Sequence, residues 1–180
     1  MDRGVEKRNG LDFARPDSIQ MNCDRAPMND DLGIGWSVKA FNGMAPRELH
    51  DVFKLRVDVF VVEQRCVYPE IDGQDPDAHH VLGQDANGRL VAYARILPPH
   101  GNGPPHIGRV IVHPEKRGQH LGRHLMHTAL KAVEELYGSR RSALAAQAYL
   151  VKFYGTFGYV PMSDPYDWDG IPHVDMMLEG

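Results

Sequence analysis

The chain has 180 residues, with 20 basic and 24 acidic side chains and a formal net charge of −4. This length fits one compact domain, and the net charge gives no support for nucleic-acid binding. With two cysteines, no apolar run of ~18 residues and no apolar leader, the sequence predicts neither a disulfide framework nor a membrane span. We therefore expect a cytoplasmic protein.

The first 33 residues mix charged residues with Asn, Pro and Gly and show no sustained period of 2 or 3.6. Residues 1–33 are therefore predicted to be a flexible N-terminal tail. Residues 34–180 are predicted to form a single domain.

The first half of this domain predicts four strands and a helix. "GWSVKAF" alternates like a strand, and a helix is predicted to begin at Pro46. After the acidic loop "CVYPEIDGQDPDAH", two strand-like runs flank Asn87 and Gly88, which indicates a hairpin. "HIGRVIV" follows and ends at His113 and Pro114.

The second half begins with a long helix. "LGRHLMHTALKAVEELYG" carries an apolar stripe and ends at Gly138. "SALAAQ" predicts a buried strand, "AYLVKFYGTFG" a short helix and "YVPM" another strand. The loop "SDPYDWDGIPH" then precedes a terminal strand, "HVDMMLE". This order predicts an α/β (α+β) domain with a central, mostly antiparallel sheet.

The stretch "HPEKRGQHLGRHL" is the main candidate for ligand binding. A strand, a glycine turn and a helix N-terminus together aim backbone N–H groups at an anion. Gly118 permits a positive φ, and Lys116, Arg117 and Arg123 could contact phosphate. The alternative is a basic connection with no ligand. Neither the ATP-type P-loop nor the dinucleotide fingerprint is present.

The segment "VIVHPEKRGQHLGRHLMHTAL" resembles motif A of the GNAT acetyltransferases, read from Arg117 to Gly122. The pairs Phe153-Tyr154 and Gly158-Tyr159 are similar to a second hallmark of that family. "LRVDVFVVEQRCVYPEIDGQD", "LVAYARIL", "IGRVIV" and "DGIPHVDM" resemble its ElaA-like branch. The likeness runs from about Trp36 to Gly180.

The resemblance implies the acyl-CoA N-acyltransferase fold, in which two neighbouring strands splay apart and acetyl-CoA lies in the opening. Main-chain groups would hold the donor, the pantetheine arm on Val110, Ile111 and Val112 and the diphosphate on Arg117, Gly118, Gln119, His120, Leu121 and Gly122. Gln147, Phe153 and Tyr154 complete the implied donor site. Two positions depart from the family pattern, because His120 replaces a small residue and Gln147 replaces a frequent Asn.

Acetyl transfer to an amine requires a general acid for the leaving thiolate and a route for the amine proton. The resemblance implies that Tyr154 is the acid, whereas spacing alone favours a core tyrosine. Glu63, His173 or a relay through water could take the amine proton. The acidic loop with Glu70, Asp72, Asp75 and Asp77 is interpreted either as an electrostatic lure for cationic amines or as a solvated loop.

His120, His124 and His127 fall on one helix face, a spacing that can bind zinc. They lack the carboxylate of a zinc-protease motif, so we predict a solvent-facing stripe and no metal. As the leading function, the resemblance implies acetyl transfer from acetyl-CoA to a primary amine of a small molecule or peptide, without nucleic-acid or membrane partners. Alternatives are a non-catalytic CoA-binding regulator, an enzyme like acyl-homoserine-lactone synthases and a phosphate- or nucleotide-binding module. The C-terminal strands could pair in a homodimer.

Overall fold

The structure, a computed structural model, describes residues 28–29, 32–66 and 68–180. These residues form one nine-stranded sheet in the order β1-β2-β3-β4-β5-β6-β9-β7, with β8 paired to β9. Three helices accompany it. The elements are β1 Met28–Asn29, β2 Gly35–Ala40, α1 Pro46–Arg56, β3 His79–Gln84, β4 Leu90–Leu97, β5 His106–Val112, α2 Leu121–Tyr137, β6 Ser142–Gln147, α3 Val151–Gly155, β7 Val160–Pro161, β8 Tyr166–Trp168 and β9 Ile171–Leu178.

Two glycines act as the sequence predicts. Gly88 takes a φ of 77° in the turn between β3 and β4, and its N–H donates to the carbonyl of Asp85. Gly138 ends α2 in the left-handed region, with a φ of 75°. A residue with a Cβ is strained in this region, so glycine sets both chain reversals.

Three features differ from or extend the sequence prediction. Helix α1 runs directly into a seven-residue π-helical segment, Val57–Glu63. The predicted C-terminal loop contains β8, which forms a hairpin with β9. Met28 and Asn29, inside the predicted tail, pair with Trp36 and Gly35. Residues 1–27, 30 and 31 lie outside the described residues, so flexibility there stays a prediction.

Each face of the sheet has its own apolar core. Helix α2 packs Leu125, Met126 and Leu130 on one face, together with residues of β3 to β6. On the other face, α1 and the π-helical segment contribute Val52 and Phe60, among others. No helix in the described part of the chain is long and apolar enough to cross a bilayer.

Strands β5 and β6 part almost as soon as they meet. They run parallel and pair at His106 and Ala143. On its other side β5 follows β4 as far as the pair Ala92 and Val112. A bulge interrupts that pairing, and Arg109 at the bulge has a φ of 52°. Bulges increase local twist, which directs the far end of β5 away from β6.

Candidate active site

The gap between β5 and β6 is bordered by main-chain edges that the two strands do not pair with each other. In the described structure the register between these strands includes neither Val110, Ile111 nor Val112. Ile111 and Val112 pair with β4 on their other side. An extended ligand chain can therefore add to the β5 edge, as a strand would. This is the opening that the resemblance implied, and the bulge in the pairing of β4 with β5 lies beside it.

The glycine turn after β5 leads straight into α2. Gly118 has a φ of 76°, and an added Cβ there would meet nothing within 4 Å, so backbone conformation alone requires glycine. His120 caps α2 with a φ of 60°. It therefore keeps the backbone that a glycine would adopt, despite its Cβ. The departure from the family pattern leaves the local main-chain geometry of the motif in place.

Gly122 lies where the turn, β5 and α3 approach one another. A Cβ on it would come within 3.6 Å of the Phe153 ring and 3.8 Å of Val112. Three predicted donor-site residues are thus within van der Waals range of one point. The absence of a side chain at Gly122 keeps the space between them open.

Arg117 and Glu63, predicted to have separate roles, pair with each other. The Nη1 and Nη2 atoms of Arg117 donate to the two carboxylate oxygens of Glu63 at 2.6 and 3.0 Å. Its Nε donates to the carbonyl of Val112 at 3.2 Å. The hydrogen bonds from Arg117 lower the pKa of Glu63. A carboxylate held in its charged form by an arginine is a poor acceptor for an amine proton.

Tyr154 is buried beside the glycine-turn side of the gap. Its side chain is 6% exposed, and its ring contacts those of Phe153 and Tyr159 at centroid distances of 5.1 and 6.2 Å. Burial raises the pKa of Tyr154 above its ordinary value. The phenol therefore remains protonated at neutral pH, as a proton donor must. Its position also satisfies the simpler interpretation as a core tyrosine.

His173 and Gln147 lie opposite each other on β9 and β6. Opposed residues of an antiparallel pair project from the same face of the sheet. The amide of Gln147 donates to Oε1 of Gln64 at 3.1 Å, which joins the end of the π-helical region to β6. Nδ1 of His173 lies 2.8 Å from the carbonyl of Ile171 and must be the donor. In the neutral ring, Nε2 is therefore the proton acceptor.

The acidic loop is neither a solvated loop nor a free electrostatic lure. Glu70 and Asp75 are 5% and 2% exposed, and Asp72 is only partly exposed. Asp77 alone among the four is exposed. The three others form an ion network with three arginines, through the contacts Arg56–Glu70 at 2.6 Å, Arg56–Asp75 at 2.5 Å, Arg95–Asp72 at 2.6 Å, Arg95–Asp75 at 3.1 Å and Arg109–Glu70 at 2.9 Å.

This ion network balances three negative charges with three positive ones. Burial alone would raise the pKa of Asp72. Hydrogen bonds from Arg95 nevertheless hold this pKa well below its usual range. Sequence analysis overlooked the arginines. A signal was available, because Arg95 interrupts the apolar run "LVAYARIL" and a buried charge requires a partner.

The histidines at 120, 124 and 127 are not gathered into a metal site. His120 and His127 are exposed, and the ring of His127 packs edge-on against Phe157 at 5.2 Å. Among the described residues no group of three or more His, Cys, Asp or Glu side chains could hold a metal ion. His120 is the N-cap residue of α2, and His124 and His127 lie within the helix.

The comparisons with known proteins agree with this geometry. Residues 49–179 match the model of the acetyltransferase (GNAT) domain. The chain therefore belongs to the GNAT acetyltransferase family, whose fold is built to bind acyl-CoA.

The resemblance narrows to the ElaA-like proteins. Protein ElaA of Escherichia coli is 41% identical over 149 residues, covering 81% of this chain and 97% of ElaA. Its crystal structure superimposes with a TM-score of 0.77 at 40% identity, over 81% of this chain and 99% of that one. An acyl-CoA N-acyltransferase from Pseudomonas aeruginosa gives the same TM-score, identity and coverage. A UPF0039 protein of Schizosaccharomyces pombe is 44% identical over 142 residues, covering 78% of this chain and 94% of that relative.

Proposed function

We propose that this protein transfers an acetyl group from acetyl-CoA to a primary amine of a small molecule or peptide, by direct attack in a ternary complex. The observation that carries the proposal is the parting of β5 from β6 beside the glycine turn of α2. One crevice thereby offers an unpaired strand edge for pantetheine and a helix N-terminus for diphosphate.

The donor contacts in this proposal are mainly main-chain ones. The edges of Val110 to Val112 hold the pantetheine arm, and amides between Arg117 and Gly122 hold the diphosphate. Phe153 lies against Gly122, and Gln147 lies at the far border of the gap. The guanidinium of Arg117 contacts Glu63, so it can reach phosphate oxygens only by exchanging that carboxylate for them.

The chemical step needs two proton transfers. The neutral amine attacks the thioester carbonyl, a C–N bond forms and the C–S bond breaks. We assign Tyr154 as the acid that protonates the departing thiolate. We assign Nε2 of His173 as the acceptor of the amine proton, since Nδ1 donates to Ile171 and Glu63 is held as an ion pair. A water molecule could relay the amine proton to Nε2 of His173 with the same net proton transfer.

We propose no nucleic acid, membrane or metal as a partner. We also propose a cytoplasmic location, because acetyl-CoA is the donor and Cys66 is a buried free thiol. A homodimer through the C-terminal strands is also proposed, because Val160 and Met162, in and beside β7, are 50% and 60% exposed.

Mass spectrometry of a mixed amine library incubated with acetyl-CoA tests the activity. The expected result is acetylated product that requires both enzyme and amine. Titration calorimetry with CoA is the companion measurement. Binding heat with CoA but no acetylated amine would favour the non-catalytic regulator. The absence of binding heat with both CoA and acetyl-CoA would overturn the proposal altogether.

A further inference from the structure

We infer that the acceptor is a primary amine carrying an aromatic ring, an arylalkylamine, and that its ring stacks on an aromatic wall opposite the donor face. This inference rests on the proposed function. The aromatic wall comprises Phe60, Tyr68, Trp168 and His173.

The aromatic wall is a continuous chain of ring contacts. Phe60 and Tyr68 lie 6.4 Å apart between centroids, and so do Tyr68 and Trp168. Trp168 and His173 are 5.3 Å apart. Phe60 comes from the π-helical segment, Tyr68 from the acidic loop and the other two from the β8–β9 hairpin. Three separate pieces of chain therefore converge on one surface.

The aromatic wall lies on the sheet face opposite α2. Phe60 belongs to the core on that face, and Tyr68 and Ile171 pack against the same core. His173 stands in register with Gln147 at the end of β6. The wall therefore bridges from the β5 side to the β6 side, behind the gap that separates them. With the donor placed as proposed, an amine that approaches from this face would meet the rings.

Arg109, which contacts the aromatic wall, is already neutralised, so the wall suits a ring better than an anion. Arg109 lies 5.0 Å from the ring centroid of Tyr68 and 5.9 Å from that of Phe60, but Glu70 and Asp72 already pair with it. The wall therefore presents no uncompensated positive charge from this arginine.

The negative charge around Trp168 adds long-range attraction for an ammonium group. Trp168 is 45% exposed, although tryptophan is ordinarily well buried. Exposed Asp164, Asp167 and Asp169 lie near it in the sequence. A protonated arylalkylamine combines a ring that can stack on the indole with a cation that these carboxylates attract as it approaches. A polyamine could use the carboxylates but would leave the indole face without a stacking partner.

Steady-state kinetics at saturating acetyl-CoA test the inference. The probes are 2-phenylethylamine, ethylamine and spermidine, each assayed with the wild type, Trp168→Leu and Trp168→Phe. We expect kcat/KM for 2-phenylethylamine to exceed that for ethylamine by about tenfold in the wild type, as stacking and apolar contact together allow. Trp168→Leu should lose most of this preference, and Trp168→Phe should retain about half of it.

The readouts separate this inference from the proposed function. Affinity for CoA, measured by calorimetry, should be the same in all three proteins, which would show that the donor site is intact. Equal kcat/KM for 2-phenylethylamine and ethylamine, preference for spermidine, or an unchanged preference in Trp168→Leu would overturn the inference alone. No acetylation of any amine would overturn the proposed function, and this inference with it.

Discussion

The two faces of the gap are built differently. On the proposed donor face, contacts would come from consecutive main-chain groups in β5, the glycine turn and the first turn of α2. On the proposed acceptor face, they would come from side chains of the π-helical segment, the acidic loop and the β8–β9 hairpin. The donor face therefore depends on local backbone conformation, whereas the acceptor face depends on contacts between residues far apart in the chain. Substitutions should consequently have different effects on the two faces.

The largest expected effect is on the ion network beneath the acceptor face. Arg56 is fully buried and contacts both Glu70 and Asp75. Arg56→Met would leave buried carboxylates without a partner, which costs about 3–5 kcal/mol of unfolding free energy. Urea unfolding measures the loss. Arg47→Met, which removes an exposed pair with Asp51, is the control and should cost at most about 1 kcal/mol. Equal effects of the two substitutions would contradict the network's structural role.

On the donor face, Tyr154→Phe should act on chemistry rather than on binding. Loss of the acid should lower kcat by about 10²-fold or more, with affinity for acetyl-CoA almost unchanged. Steady-state kinetics and calorimetry together measure both. Tyr137→Phe, at the last residue of α2, is the control. An unchanged kcat in Tyr154→Phe would leave Tyr154 as a core residue only.

The stability of the fold should also depend on pH, through a buried histidine beneath the proposed acceptor face. His80 is fully buried, its ring bonds to the Tyr93 hydroxyl and the Asp75 carbonyl, and burial lowers its pKa. The unfolded chain therefore binds a proton at higher pH than the folded one. Stability should be full above the unfolded value of ~6.5 and should fall as the pH drops below it.

Urea unfolding at pH 5.5 and 7.5 measures this difference. His80→Gln should reduce the pH dependence, whereas His100→Gln, an exposed site, should leave it unchanged. If both variants keep the wild-type dependence, another group is responsible.

The smallest effect is expected at the ion pair of Arg117 and Glu63, which joins the two faces. Glu63→Gln weakens the hold on Arg117, so affinity for CoA should rise by up to about fivefold, the range of an exposed ion pair. Acetyl-pantetheine, which lacks the diphosphate, should bind the variant and the wild type equally well. A large fall in kcat with no change in affinity would instead make Glu63 the base.

Local sequence patterns predicted most of the elements of the sheet and its helices. Pro46, Gly88 and Gly138 each fix a nearby backbone conformation, so their effects are visible without knowledge of distant residues. The π-helical segment and β8 were not predicted. The first carries the same apolar spacing as the α-helix before it, and β8 has only three residues and depends on pairing with β9.

The sequence by itself determined the glycine turn of the proposed donor face, because a glycine turn between a strand and a helix places its N–H groups by local geometry alone. Only the tertiary structure decided the partners of the charged groups. Arg117 pairs with Glu63, 54 positions away, and Arg95 with Asp72, 23 positions away. Partners this far apart along the chain are set by how strands and loops pack, and no local pattern records that packing. The same reason keeps the aromatic wall, drawn from three segments, out of reach of sequence analysis.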